Sequence, residues 1–497
     1  MPSSKLPTPP GRSTKKILTV TIVVLVVIFV AGAFFLLRYW PFTEASVRAK
    51  LGANLSAGVH FGRFHTKYFP PGCVVENVIF QRNNSNTELI SIRQLTIRSS
   101  LLGLFRHHLS LLRADGARIE LGRSDIAEAR SSGQRVTIDK FVADDAVLEI
   151  PQGNDRKPLR FVFHQFHLEN LGDSGTTKFS AAFENPLPAG LIRTSGQFGP
   201  WSQSDAAVTP VSGKYSLQSA DLGVLQALGG RISSTGTFAG SFKEIDVRGQ
   251  ANSPEFEVTS THHKQPLTAE FEAKVNAVTG EMLLPRVSAK FGRDEIQAQG
   301  NMGRQDDGKR AAVIQLTCDH GRIEDTFYPF ISSPKSPITG NIQFRMHVVI
   351  PSGQQRFLQK IHLTSDFRVT NVGLTNPQTK LRMNKVAETP HQKAPVDEQA
   401  QIDGRVNLTS GVAHLSSLDI REGDASAQLH GTYNLLNQRL NLQGTLRTEA
   451  SLTKATSGIK AAFAKALEPF VKKQEHQKII PVRINGTYRH PSFGLAM

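Results

Sequence analysis

The nine residues LTAEFEAKV (267–275) decide the fold class. Leu267, Ala269, Phe271, Ala273 and Val275 alternate with Thr268, Glu270, Glu272 and Lys274. Successive side chains of an extended strand point to opposite faces, so this order predicts a strand with one dry side and one wet side. A helix would scatter the same residues around its circumference. The alternation returns at 342–350, with Ile342, Phe344, Met346, Val348 and Ile350 on one face and Gln343, Arg345 and His347 on the other. Ile361-Leu363, Phe367-Val369, Val406-Leu408, Leu440-Leu442 and Val482-Ile484 continue it. One-sided alternation belongs to antiparallel sheets. Turn signals at Ser212-Gly213, Gly229-Gly230, Ser410-Gly411 and Leu436-Asn437 call for hairpins rather than βαβ units. A Gly-Thr-apolar tripeptide recurs at Gly236-Thr237-Phe238, Gly431-Thr432-Tyr433, Gly444-Thr445-Leu446 and Gly486-Thr487-Tyr488, a faint sign of repetition.

Outward toward the N-terminus the period changes. Residues 17–37 carry no charge, and 21 residues are about what a helix needs to cross hydrocarbon. Ile17, Val24, Val27, Phe29, Phe34 and Leu37 mark this predicted anchor, with Tyr39 and Trp40 as its aromatic boundary. Lys5, Arg12, Lys15 and Lys16 precede it without an acidic residue, which places the N-terminus in the cytoplasm and exports the rest. The competing reading is a signal peptide cleaved near Ala31-Gly32-Ala33, which leaves Phe34-Phe35-Leu36-Leu37 as an exposed start. Beyond the anchor, Val47, Leu51 and Leu55 recur every four residues and predict a short amphipathic helix.

Two segments further on depart from period two. Residues 384–401, with Pro390 and Pro395, read as a solvated loop. Residues 451–473 read as a basic amphipathic helix: Ile459, Phe463 and Leu467 share a side, and Lys454, Lys460 and Lys465 stand elsewhere. That helix either covers the sheet or meets anionic head groups. A last strand is expected in 478–497.

Composition permits a packed fold, since the 39% apolar residues together with the 40 glycines make about 47%, within the ordinary globular range, and it narrows the chemistry. Lys and Arg number 58 against 42 Asp and Glu, a net charge of +16 without a basic block interleaved with aromatics, so head groups suit it better than nucleic acid. Cys73 and Cys318 lack zinc-site spacing. The zincin, phosphate-loop and nucleophile-elbow patterns are absent. His164 and His167, three apart on a strand, point to opposite faces. His107-His108 and His262-His263 share that defect, and Asp144-Asp145 reads as a turn or a solvated face. No catalytic residue, metal or cofactor is expected, and the chain does not read as an enzyme.

A sheet with a dry face must cover it, and few helices are available. One answer is a set of β-sandwiches whose dry faces bury each other, which makes the chain a structural or assembly scaffold of the envelope. The other is a long sheet curled into a groove for acyl chains. Phe outnumbers Tyr and Trp together, 29 to 8, and favours an apolar lining. Several phrases together bear on the choice: YFPPG (68–72), SLLGL (100–104), GKY (213–215), ADL (220–222), GTFAG (236–240), VRG (247–249), FEV (256–258), IPVRINGTY (480–488) and HPSFG (490–494). In their order and spacing the chain resembles the AsmA-like family of bacterial envelope proteins. The resemblance implies a bacterial inner-membrane protein with a periplasmic, repeating β-groove, of the bridge-like type that moves phospholipid toward the outer membrane. It implies an N-terminal β region at 43–205 and a C-terminal β region at 206–450; in such a groove the dry-face residues Phe271, Val275, Phe344, Val348 and Phe367 are expected to form the lining that meets acyl chains. This chain is short beside the largest members, so it fits a shuttle, or a bridge completed by an envelope partner.

Overall fold

The computed structural model describes residues 40–55, 57–82, 88–106, 108–120, 136–151, 157–172, 175–202, 205–225, 228–259, 261–305, 308, 310–330, 335–336, 338–353, 355, 357–374, 400–423, 425–448, 479–487 and 490–495. The predicted anchor with Tyr39, the loop up to residue 399 and the helix 451–473 lie outside them. Among the described residues no helix is long and apolar enough to cross a membrane. The protein is mainly β and forms two compact units, residues 1–143 and 144–497.

Unit 1 holds helix α1 (Glu44–Leu55), strands β1 (Ala57–His60), β2 (Arg63–Lys67), β3 (Gly72–Arg82) and β4 (Glu88–Ser99), the short helix α2 (Leu101–Arg106), and β5 (His108–Glu120). Strand β6 (Thr137–Ile150) carries the division between the units. Both β1 and β2 pair antiparallel with β3, β1 along residues 79–82 and β2 along 72–76. Strands β3, β4 and β5 then follow in order. In β3 the fully buried positions are Cys73 and Val75, then Val78. Their parity changes at Asn77, whose φ of 51° is left-handed. A residue in that conformation adds a half-step to the pleat, so both halves of the strand bury the same side. Val47 of α1 is buried, as the four-residue period predicts. Trp40, expected at a membrane boundary, is 7% exposed and packs its ring on Phe42 and Tyr68.

Unit 2 is an open antiparallel meander. It runs through β7 (Leu159–Leu171), β8 (Thr177–Pro186), β9 (Ala189–Phe198), β10 (Pro210–Asp221), the two-residue β11 (Leu228–Gly229), β12 (Arg231–Ser241) and β13 (Glu244–Val258). It continues with β14 (Gln265–Asn276), β15 (Glu281–Phe291), β16 (Asp294–Arg304), β17 (Arg310–Arg322), β18 (Ile338–Pro351) and β19 (His362–Leu374). After these come β20 (Ala400–Thr409), β21 (Val412–Glu422), β22 (Ala425–Asn434), β23 (Arg439–Thr448), β24 (Ile479–Thr487) and β25 (His490–Leu495). Each strand pairs with the next, except that β10 pairs with β12 and β11 sits beside β13. Among the described residues no pairing joins β25 back to β7. Helical turns α3 (Ile323–Thr326) and α4 (Phe357–Lys360) interrupt the meander.

Strand β9 pairs with β10 over eight residue pairs, and the compact units divide at 143/144. The loop expected to end at residue 401 gives up its last two residues to β20, where Ala400 pairs with Val372 and is 1% exposed. Residues 478–497 hold a hairpin of two strands, β24 and β25, rather than one strand. Asp144 and Asp145 lie inside β6, with Asp145 exposed and at φ 53°, so of the two expectations the strand shows a solvated face and not a turn.

Candidate functional site

The register of unit 2 sorts its side chains into two faces. Residues paired across an antiparallel ladder share a face, so rows can be followed from strand to strand. One row starts at Phe166 and passes through Ala181, Thr194, Tyr215, Gly236 and Gly249 to Phe271. From there it runs through Val287, Ala298, Leu316, Met346 and Ser365 to Val406. It ends through Leu415, Gly431 and Leu442 at Ile484. Phe344 and Val348 flank Met346 in the alternation, Phe367 pairs with Phe344, and Val275 pairs with Met282 and Ile245. The five predicted lining residues therefore share one face, and Arg345 and Glu270 lie on the other.

Aromatic rings and glycines are matched across this face. A Cβ built on Gly213 would lie 2.7 Å from Phe238 Cζ, and one on Gly249 would lie 2.8 Å from Phe271 Cζ. One on Gly236 would lie 2.8 Å from Tyr215 Cε1, and one on Gly404 would lie 2.7 Å from Phe367 Cε1. Each ring thus lies over the backbone of a neighbouring strand, in the space a side chain would need. This gives the tripeptides at 236–238, 431–433 and 444–446 a physical reading: glycine and the apolar residue share the dry face, and threonine points to the wet one. In Gly236-Thr237-Phe238 the glycine receives the Tyr215 ring, while Phe238 lies over Gly213.

Burial along the face is uneven. Ile342 and Val369 are 1% exposed, and Phe344 and Val348 are 6% exposed. Ile323 of α3 and Phe327, which follows it, pack against the Ile342–Phe344 cluster, and Phe357 of α4 packs against the Val348 cluster. A second dry stretch joins Leu429, Leu442, Leu446, Ile480 and Val482 on β22–β24. Between β12 and β16 the matching residues Phe238, Val247, Leu267, Phe271 and Leu284 stay partly exposed, as do Val275 and Phe367. The mid-face residues of a two-sheet sandwich would be shut off from solvent. Here, among the described residues of unit 2, the non-strand elements with the most extensive packing on the strands are short helical turns, and Leu222 of one such turn packs with Phe256 and Phe291 against Leu267 at one end of β13–β15. Phe344 and Val348 are thus held by protein, Phe367 packs partly exposed against the Phe344 cluster, and Phe271 and Val275 remain partly accessible.

The opposite face is charged and paired. Arg405 Nε donates to Asp366 Oδ1 at 2.6 Å, and Arg368 Nε donates to Asp403 Oδ1 at 2.5 Å. These side chains line an open depression of about 520 Å3. A second depression, of about 470 Å3, is lined by Arg248, Glu270, Glu272 and Arg286. Both lie over the polar side of the sheet; the Arg405–Asp366 and Arg248–Glu272 pairs are exposed and of the kind that add little stability, whereas Asp403 is partly buried. The histidines are likewise occupied singly: His164 faces Glu184 at 3.0 Å, His167 faces Asp144 at 3.4 Å, and His108 faces Asp139 at 2.7 Å. His263 stacks on Tyr328 with ring centroids 4.5 Å apart. Among the described residues no group of three His, Cys, Asp or Glu could hold a metal ion. Cys73 and Cys318 are free, buried thiols.

Sequence reasoning found the face but missed which part of it protein covers. The covering turns α3 and α4 are four residues each, too short for apolar periodicity to register. No family model matches the chain, and neither a curated protein nor a solved structure matches it.

Proposed function

We propose that the partly exposed apolar face of unit 2, centred on Phe238, Val247 and Phe271, holds the acyl chains of phospholipid. In this reading the sheet curls into a groove along that face, residues 17–37 hold the protein in the bacterial inner membrane, and lipid moves toward the outer membrane. That is the role implied by the resemblance to AsmA-like proteins. The carrying observation is the largely apolar row from Phe166 to Ile484, interrupted by Thr194 and Ser365, along which Phe238, Val247 and Phe271 stay partly exposed among the described residues.

The physics suits movement rather than storage. Each methylene leaving water for an apolar surface gains about 0.8 kcal/mol. A lipid coming from a bilayer starts in an equally apolar medium, so transfer along such a face is nearly neutral in free energy. Rings laid over glycines smooth the path, because they present flat surfaces rather than ridges. No side chain in this reading performs chemistry on the lipid.

The test places a photo-activatable cross-linker at Phe271 and, separately, at Glu270 on the wet face, in cells making the full chain. Phospholipid should be captured at Phe271 and not at Glu270. Equal capture at both positions, or capture at neither, refutes the groove, and the latter result favours an envelope scaffold.

A further inference from the structure

Unit 1 exposes large apolar side chains at one place. Among its described residues these are Tyr68 at 59%, Phe69 at 87%, Leu101 at 51% and Leu102 at 75%. The two pairs are more than thirty residues apart in sequence, and the fold brings them together. Tyr68 and Phe69 form the tip of the β2–β3 hairpin, and Leu101 and Leu102 open α2. The Ser99 amide donates to the Pro71 carbonyl at 2.8 Å, and Gly72 pairs with Arg98. Each apolar pair therefore starts within three residues of that tie, about 10 Å of chain at most.

The rim of this tip is basic. Lys67, Arg98 and Arg106 are exposed, and none forms an ion pair among the described residues. The root of the tip is Trp40, whose ring centroid lies 5.3 Å from that of Tyr68. Trp40 stands three residues after Leu37, the end of the uncharged run. The tip thus packs on a residue that follows the end of that run by three positions in sequence.

We propose that Tyr68, Phe69, Leu101 and Leu102 insert into the outer part of the bilayer that residues 17–37 enter, with Lys67, Arg98 and Arg106 meeting its anionic head groups. This rests on the membrane placement given above. Apolar tips with a cationic rim are what an interface selects, since the rings and leucines leave water while the charges stay at head-group level. The insertion would hold unit 1 against the surface as a second contact beside the anchor.

The test uses the full chain reconstituted into phosphatidylethanolamine–phosphatidylglycerol vesicles. Phe69→Cys, Leu102→Cys and, as a control on unit 2, Leu436→Cys each receive a polarity-sensitive fluorophore. Cys73 and Cys318, at 0% and 1% exposure, take no label in the folded chain. Emission from positions 69 and 102 should shift to the blue, be quenched by a nitroxide on the upper acyl chain, and resist aqueous iodide. Position 436 should show the reverse. Iodide quenching at 69 and 102 equal to that at 436 overturns the proposal. Protection from iodide without quenching by the lipid nitroxide also overturns it, because a protein then covers the tip. Retention of the chain through a carbonate wash reports the anchor separately: a retained chain with a wet tip refutes insertion alone, and a chain that washes off refutes the anchor and the insertion together.

Discussion

The pairing of rings with glycines can be tested at Gly404. Its φ is not left-handed, so backbone preference does not demand glycine there. The three atoms nearest to an added Cβ all belong to the Phe367 ring, with Cε1 at 2.7 Å and Cε2 at 3.0 Å. Gly404→Ala must therefore displace that ring, an overpacking cost of about 2 kcal/mol. Phe367→Leu alone should cost about 1 kcal/mol, since the ring is only partly buried. If the clash is the cause, the double variant should cost about 1 kcal/mol rather than the additive sum of about 3, a coupling of about 2 kcal/mol. Gly444 supplies the control: an added Cβ there meets the backbone of Gln428 and Leu429, with the Gln428 carbonyl carbon at 2.8 Å. Trimming Leu429 to Ala should give Gly444→Ala no relief. Hydrogen exchange resolves opening strand by strand, which suits a long meander better than one global transition. Amides of β19 and β20 should exchange about thirtyfold faster in Gly404→Ala, as about 2 kcal/mol requires. Additive effects of Gly404→Ala and Phe367→Leu would refute the argument that the ring occupies the glycine's side-chain space.

Two carboxylates should respond to pH in opposite directions. Burial raises the Asp294 carboxyl above its ordinary range, despite hydrogen bonds from Thr326 Oγ1 at 2.6 Å and the Arg322 amide at 3.0 Å. A raised carboxyl favours the fold at acid pH, and that contribution is lost as pH rises from the unfolded value through the folded one. Protection of β16 amides should therefore fall across that window, and Asp294→Asn should remove the dependence. Burial also pushes Asp403 upward, but Arg368, Gln401 and Arg421 outweigh it and leave the carboxyl below its ordinary range. Its contribution is present above the unfolded value and is lost as pH falls through the depressed one, so β20 should open in acid and Asp403→Asn should abolish that response. The thiols of Cys73 and Cys318 are pushed up by burial to about 12 and about 11. At pH 8 neither should react with a thiol reagent until the chain is denatured; reaction of the native chain at the rate of a free cysteine would contradict their burial.

Period two determined much of this protein by itself. Leu267 to Val275 and Ile342 to Ile350 could only sort onto two faces, because successive Cβ atoms of a strand must alternate. The mainly β, antiparallel character and the membership of the dry face followed from that geometry. The parity changes did not: Asn77, Asp145 and Ser219 adopt left-handed φ without being glycine, and nothing in their identity requires it. Nor did the division at 143/144, since a boundary inside a strand leaves no Pro-, Gly- or Ser-rich mark. Coverage was decided by tertiary structure alone. Phe344 and Phe271 lie on the same face of one sheet, yet Phe344 lies under Ile323 and Phe327 while Phe271 stays partly open. The apolar tip of unit 1 has the same origin, for Tyr68-Phe69 and Leu101-Leu102 are ordinary local pairs until the β3–β4 ladder sets Pro71 beside Ser99. Alternation is local and survives in the sequence, whereas burial depends on what distant segments bring above a side chain, and no local pattern records that.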